Sequence, residues 1–297
     1  NLRIGKKIIG KNVSVFIIAE AGVNHNGKLS LALKLIDEAS KAGADAVKFQ
    51  TFRAEDVVTA KGSMAFYQKK NLGYSESQIK MLKKLELREE YYPTLIKHCK
   101  KRGIIFLSTP HGGFRSVSFL KSLNILAFKF GSGDLTNMPL LQYAAKLKKP
   151  MIISTGMANM KEVAEAVKCI RAEENNKIVI LHCTSNYPCP IDDVNLLAMK
   201  TMKKRLRVLV GYSDHTLGSQ TSIMAAMLGA CVIEKHFTLD KTMKGPDHIA
   251  SSNPRELKEF ITSIRNITKI LGTGNKISTK SEIPKKKEQV EESLPEV

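Results

Sequence analysis

Apolar residues along the chain gather into eight short runs: Phe16–Gly22, Ala46–Thr51, Ile104–Pro110, Ala127–Ser132, Met151–Gly156, Ile178–Ser185, Arg207–His215 and Cys231–Thr238. They are rich in Val, Ile and Phe and alternate little, as strands of a parallel sheet covered on both faces do. Between them, apolar positions recur at helical spacing in Leu29–Ala42, Glu89–Arg102, Met160–Arg171, Ser219–Gly229 and Pro254–Leu271. Gly43 and Gly103 follow two of these as C-caps, and Ser219 stands where a helix would open. Successive runs start 30, 58, 23, 24, 27, 29 and 24 residues apart, the length of one βα unit everywhere but the second gap. Eight such units over about 260 residues predict an α/β chain folded as a TIM (β/α)8 barrel. A doubly wound open sheet is the competing arrangement.

Three segments fall outside the eight units. Residues 1–14 read as an N-terminal β-hairpin turning at Gly10-Lys11-Asn12 and capping the bottom of the barrel. The long second gap holds an insertion, residues 52–87, with its own helix near Ser75–Leu85. Long βα loops on a barrel shape the active site. The barrel domain is thus expected over 1–275. The tail, 276–297, is rich in Lys, Glu, Ser and Pro and reads as an exposed, charged linker or disorder.

Composition changes this picture in one respect. The 47 basic and 28 acidic residues leave a formal charge of +19 on 297 residues, which suits nucleic acid, an anionic membrane or an anionic small molecule. Of the basic residues 37 are Lys and 10 are Arg, and there is no Trp. Arg is the residue of bidentate base and phosphate contacts, and aromatic rings stack bases, so a nucleic-acid partner is not expected. The longest apolar stretch, Ile223–Ile233, spans 11 residues, too few to cross a bilayer. Cys99, Cys169, Cys183, Cys189 and Cys231 are scattered and form no CxxC pair. They suit reduced thiols in the cytoplasm.

Function on a TIM barrel lies at the C-terminal strand ends, and here every run ends in polar groups. The first carries Glu20, then Asn24-His25-Asn26; the second Lys48 and Gln50; the third Ser108-Thr109; the fourth Lys129, Ser132 and Asp134. The fifth ends Ser154-Thr155-Gly156, the sixth carries His182, Thr184 and Asn186-Tyr187, the seventh Ser213-Asp214-His215, and the eighth Glu234 and His236. A purely structural barrel fills these layers with Val, Ile and Leu. Lys48, Lys129, Thr109, Ser132 and Ser154, beside the glycines of 131–133, are what a phosphate or carboxylate dianion needs. Either lysine alone would also suit a structural ion pair. Gly131-x-Gly133 follows a strand, but residue 136 is Thr, so the dinucleotide fingerprint fails. His215 and His236, with Glu234 and Glu20, are placed to hold a divalent metal with open positions, or to be hydrogen-bonded core residues. His182 reads as structural and His98 has no special claim.

Several of these phrases together resemble the sialic acid synthase family, comprising N-acetylneuraminate synthase and its legionaminate, pseudaminate and spore-coat-polysaccharide relatives. They are Ala19-Glu20-Ala21-Gly22-Val23-Asn24-His25-Asn26-Gly27, Lys48-Phe49-Gln50-Thr51-Phe52, Lys129-Phe130-Gly131-Ser132-Gly133-Asp134, Ser154-Thr155-Gly156-Met157, Gly211-Tyr212-Ser213-Asp214-His215-Thr216 and Glu234-Lys235-His236-Phe237-Thr238. The resemblance covers about residues 14–272. It implies a metal-dependent condensation of phosphoenolpyruvate with an open-chain N-acetylated hexosamine of the mannosamine type. The product would be a sialic-acid-like nonulosonate plus phosphate, with cleavage of the phosphoenolpyruvate C–O bond. By the same resemblance His215 and His236 would hold Mn2+, or another divalent ion such as Mg2+ or Co2+. Lys48, Thr109, Lys129, Ser132, Ser154, Asn186 and Ser213 would surround phosphoenolpyruvate. Gln50, Asp134, Tyr187 and Asp247 would face the sugar, Asn71 more weakly, and Glu20 would act near the reacting carbons.

Family members continue past the barrel into a small antifreeze-like domain that reaches across a homodimer. Here Lys276–Pro284 fits the start of the linker, whereas Lys285–Val297 departs from it, so the expectation is a barrel without that domain. The alternative function is a non-catalytic or regulatory barrel that binds substrate but lacks efficient turnover. Phosphosugar synthases of related chemistry and a Schiff-base aldolase using Lys129 or Lys235 are weaker competitors.

Overall fold

The protein's structure, a computed structural model, describes residues 1–58, 69 and 77–292. Two short strands, β1 (Leu2–Ile4) and β2 (Lys7–Ile9), form an antiparallel hairpin with Leu2 opposite Ile9. The expected hairpin is present, but its reversal falls at Gly5-Lys6 instead of Gly10-Lys11-Asn12. Gly5 takes φ +57°, the left-handed region a two-residue turn requires. Residues 10–12 instead make the bend that leads the chain into the barrel.

Eight further strands follow: β3 (Phe16–Gly22), β4 (Ala46–Thr51), β5 (Ile105–Pro110), β6 (Phe128–Phe130), β7 (Met151–Ser154), β8 (Ile178–His182), β9 (Leu209–Asp214) and β10 (Val232–His236). They pair in parallel in the spatial order β5-β4-β3-β10-β9-β8-β7-β6, and β5 and β6 lie side by side where the ring closes. This is a TIM-type barrel, with helices between the strands. Each strand lies within an apolar run of the sequence. The helices Leu29–Ala42 and Tyr92–Arg102 stop at Gly43 and Gly103, both left-handed, as expected of C-cap glycines.

The two faces of each strand have different tasks. Ile17, Ala19 and Ala21 of β3, Val47 and Phe49 of β4, and Ile178 and Ile180 of β8 pack outward into one core with the helices. Phe16 and Ile18 of β3, Ala46, Leu107, Ile152, Val179, Leu181 and Val232 pack inward, into a second core that Leu2, Ile4 and Ile9 of the hairpin close from below. Apolar on both sides, the strands show no alternation near their starts. Near their ends the inward positions turn polar. Gly211 is fixed by this packing: a Cβ there would come within 2.4 Å of the Val232 carbonyl oxygen and 2.7 Å of Leu181 Cδ2.

Within the insertion the described helices are Ala54–Val57 and Gln78–Leu85; Asn71 and Ser75 lie outside the described residues. Val23, Phe52, Met81 and Leu85 form a small apolar cluster there. The tail stays exposed over 271–286, yet Glu282–Glu292 is helical. Its start is held by Thr279, whose N–H and hydroxyl both donate to Glu282 Oε2 at 2.7 and 2.8 Å, a capping arrangement that composition alone conceals. Among the described residues, no helix is long and apolar enough to cross a membrane.

Candidate active site

Because side chains alternate along a strand, the residues two and four positions beyond the inward apolar layer share its face. Glu20 follows Ile18, Lys48 follows Ala46, Thr109 follows Leu107, Ser154 follows Ile152, and Glu234 and His236 follow Val232. Register aligns them: Glu20 pairs with Lys48 on one side and His236 on the other, and Glu234 with Ser213. They line a cavity of ≈ 420 Å³ at the C-terminal end of the barrel, a size suited to small molecules.

Two lysines and two carboxylates form its floor. Lys48 Nζ lies 2.9 Å from Glu20 Oε1 and 3.8 Å from Glu234 Oε1, and donates to Thr109 Oγ1 at 2.9 Å. Lys129 Nζ lies 3.5 Å from Glu234 Oε1 and donates to Ser154 Oγ at 2.6 Å and the Phe130 carbonyl at 3.0 Å. Ser213 Oγ donates to Glu234 Oε1 at 3.1 Å. Thr109 and Ser154 accept from ammonium groups, so their own O–H groups are left to donate into the cavity. Burial favours protonation of Glu20, against Lys48 and with the repulsion of Glu234, and raises it to about 7. Burial pushes Glu234 the same way, but Lys129, Lys48, His236 and Ser213 outweigh it and hold it at about 2. The closely placed carboxyls thus separate into one that keeps its charge and one that titrates near neutrality.

Above the floor stand the two imidazoles, with ring centroids 5.7 Å apart. His215 Nδ1 donates to the Thr184 carbonyl at 2.6 Å, which leaves Nε2 as the bare nitrogen, 3.5 Å from Ser213 Oγ. Burial lowers the pKa of both rings, and for His236 the neighbouring His215 adds to the effect, so both are neutral, the form that binds metal. Glu20 Oε2, Glu234 Oε2 and His236 Nδ1 are buried with no hydrogen-bond partner in the structure. Buried polar atoms are ordinarily paired, so three orphans around one cavity mark a place that a ligand or ion completes. Among the described residues no group of three or more His, Cys, Asp or Glu forms a metal cage. An ion at the two imidazoles would draw its other ligands from water or substrate.

Gln50, Ser132, Tyr187 and Asp247 also line the cavity. Tyr187 stacks 4.2 Å from the His215 ring and meets the His236 ring edge-on at 5.6 Å. Ser132 Oγ accepts from the Gly156 N–H at 3.0 Å and lies 3.3 Å from Cys183 Sγ. Burial raises Asp247 to about 6. Gly22, at the end of β3 beside Glu20 and Gln50, takes φ +51°, the left-handed region that favours glycine. Asn186 is exposed and Asp134 is half-buried, and neither lines the cavity.

A model of the NeuB family matches residues 35–276. The chain belongs to the NeuB family. It is 52% identical over 268 residues to the N,N'-diacetyllegionaminic acid synthase of Campylobacter jejuni, covering 90% of this chain and 80% of that one. The Legionella pneumophila protein of the same name is 48% identical, at 94% and 80% coverage. A crystal structure of N-acetylneuraminic acid (sialic acid) synthetase from Leptospira borgpetersenii serovar Hardjo-bovis, in complex with citrate, superposes with a TM-score of 0.84 at 34% identity, over 100% of this chain and 98% of that one.

Other polar groups of this NeuB chain face away from the cavity or frame it. Lys235 is buried in an ion pair with Asp214 at 2.9 Å and donates to the Thr216 carbonyl, which ties β9 to β10 on the helix side. His182 bonds the Val194 carbonyl at 2.7 Å. His98 bonds Asp37 at 2.7 Å on the outer helices. Sequence reasoning passed over His111, which lines the cavity 3.9 Å from Asp134 and is held neutral by burial and by Lys48 and Lys129, down to about 4. The signal available was its place one residue past the third strand, immediately after Thr109-Pro110.

Proposed function

We propose that this chain condenses phosphoenolpyruvate with an N-acetylated, mannosamine-type sugar aldehyde to give a nonulosonate and phosphate, working in the cytoplasm. The observation that carries the reading is the floor: two buried ammonium groups flanked by free hydroxyl donors, with an unpartnered carboxyl oxygen on each glutamate. The names of the NeuB relatives support it. Lys48 and Lys129, with Thr109, Ser132 and Ser154, bind the phosphate and carboxylate of phosphoenolpyruvate by charge-assisted hydrogen bonds, while Ser213 lines the cavity beside them with its O–H on Glu234. Glu20, with Oε2 unpartnered, holds or releases the proton exchanged with the water that adds at carbon 2. Carbon 3 of phosphoenolpyruvate bonds to the aldehyde carbon, water adds at carbon 2, and the C–O bond to phosphate breaks. Gln50, Tyr187 and Asp247 orient the sugar.

The fixed charges of the floor nearly cancel, whereas phosphoenolpyruvate brings about three negative charges at neutral pH. A divalent ion beside the floor would restore balance, and the neutral rings and orphaned Nδ1 of His236 fit one. Mn2+, Mg2+ or Co2+ held by His215 and His236 would supply Lewis-acid polarisation of the aldehyde oxygen.

The test is phosphate release from phosphoenolpyruvate on addition of an N-acylated mannosamine, with and without chelator. Release is expected to be lost with EDTA and in His215→Ala/His236→Ala, and Mn2+ binding measured by calorimetry is expected to vanish in the double variant. Turnover unaffected by both would reject the metal assignment. No release from the intact, metal-loaded protein with any acylated sugar would favour the non-catalytic barrel.

A further inference from the structure

One motif of the sequence has no part in the floor: Asn24-His25-Asn26, between β3 and the helix Leu29–Ala42. Its two amides reach across to the loop that joins β10 to the helix Pro254–Leu271. Asn24 Nδ2 donates to the Phe237 carbonyl at 2.8 Å and to Ser251 Oγ at 3.0 Å, and Ser251 Oγ donates to the Asp247 carbonyl at 2.7 Å. Asn26 Nδ2 donates to the Lys244 carbonyl at 3.0 Å. That bond fixes the amide's orientation, so Oδ1 accepts from His248 Nε2 at 3.3 Å, and His248 Nδ1 accepts from the Thr238 hydroxyl at 2.6 Å. The chain of bonds needs a neutral His248, and burial keeps it so by lowering the ring's pKa to about 4. Asn24, Thr238, His248 and Ser251 are buried, and neither they nor Asn26 line the cavity.

These bonds are not what joins β3 to β10. Backbone pairing does that from Phe16 and Val232 to Glu20 and His236, and the Phe237 N–H continues onto the Glu20 carbonyl. The amides begin where that ladder ends, and what they hold is the loop. Its base is closed by the Thr238 N–H on the Ser252 carbonyl and the Ser252 N–H on the His236 carbonyl, each at 2.9 Å. Between Leu239 and Ile249, however, only Pro246 and His248 are buried, so apolar packing does little to order it. At Gly245 the backbone runs so close to the two tethering side chains that a Cβ would lie 2.5 Å from His248 Cδ2 and 3.1 Å from Asn26 Oδ1. The next two residues, Pro246 and Asp247, are the ones that line the cavity.

We propose that Asn24, Asn26 and His248 are positioning residues, a bracket that holds this loop so that Asp247 is presented to the sugar. The inference rests on the synthase reading above and adds to it side chains that touch no substrate. A carboxyl on a free loop samples many placements, and ordering it costs binding free energy each time a sugar arrives. Tied through Lys244 and His248 on one side and Ser251 on the other, Asp247 is ordered before binding.

Asn26 takes φ +48°, so Asn26→Gly removes both of its bonds without straining the backbone. Ser251→Ala removes the tether on the other side. In both variants, hydrogen exchange of the intact protein is expected to quicken about tenfold across residues 239–250 and to stay unchanged in the strands. Phosphate release from phosphoenolpyruvate is measured on the metal-loaded protein, with N-acetylmannosamine and 2,4-diacetamido-2,4,6-trideoxymannose as probes. The kcat/KM for the sugar is expected to fall about tenfold or more, with the KM for phosphoenolpyruvate unchanged. In an Asp247→Ala background, which lacks the group being positioned, Asn26→Gly is expected to cost less than about twofold further. A general loosening of the fold would instead affect both substrates and multiply with Asp247→Ala. Unchanged exchange in the loop, or effects that multiply, would overturn the bracket and leave the synthase reading standing. No release from the wild type with either sugar would overturn the synthase reading and the bracket's service to a sugar.

Discussion

Glu234 is the hinge of the floor's electrostatics, since one of its oxygens faces Lys48, Lys129 and Ser213 together. Charges taken this far from water are tolerable only as a set. Replacing Lys129 by Met keeps the volume and removes one ammonium, so the carboxylates are left in excess. Lys129→Met is expected to destabilise the fold by about 3–5 kcal/mol in urea titration and to lower kcat/KM for phosphoenolpyruvate by about a hundredfold or more. Adding Glu234→Gln is expected to recover much of the stability and none of the activity. Strictly additive effects on stability would show that the two side chains are not coupled. The alternation that brings these groups to one face was readable in Lys48 and Gln50 or Glu234 and His236, each pair two residues apart. The partner of each group was not, because ion pairing is made across strands by register and closure.

At the level of elements, Asp45 joins three pieces of the barrel's lower end. It accepts from the Ile17 N–H at 2.9 Å, from Lys7 of β2 at 2.7 Å and from Arg265 of the helix Pro254–Leu271 at 2.6 Å. The Arg265 guanidinium also donates to the Val15 carbonyl. The hairpin is thereby tied to the barrel by charge at its rim and by Leu2, Ile4 and Ile9 at its centre. Ile4 is fully buried among Phe16, Ile18, Leu107 and their neighbours. Ile4→Ala is expected to cost about 2–5 kcal/mol in urea unfolding while leaving kcat and KM of the folded protein unchanged, because the cavity lies at the opposite end. A change in KM without loss of stability would contradict that separation. Strand positions were legible as apolar runs and helix ends as glycines. The hairpin's turn was misplaced because Gly5-Lys6 and Gly10-Lys11 both offer turn chemistry, and the choice between them is made by which register buries Ile4 and Ile9.

Across the whole molecule, the excess of +19 sets a positive field around a site whose own charges nearly cancel. Such a field draws in an anion and leaves a neutral sugar indifferent. Raising salt from about 50 to 500 mM shortens the screening length severalfold. It is expected to reduce kcat/KM for phosphoenolpyruvate by roughly threefold to tenfold and to leave the KM for the sugar unchanged; equal sensitivity of both would show that steering is absent. An α/β fold with a covered parallel sheet follows from local pattern alone, since eight apolar runs spaced by helical stretches have few ways to bury both faces of their strands; its closure into a barrel, with β5 beside β6, is decided by tertiary contact. The polar rim follows from the pattern too, because the ends of parallel strands share one side. The third dimension was needed for what contact decides: the raised Glu20 beside a charged Glu234, the two neutral imidazoles, His111 lining the cavity, and Asn186 outside it. It was also needed for the apolar side of the cavity, lined by Val23, Phe52, Met81, Leu82 and Leu85, because whether a helical stripe closes onto a core or borders a cavity depends on what stands opposite it, and that partner is distant in sequence.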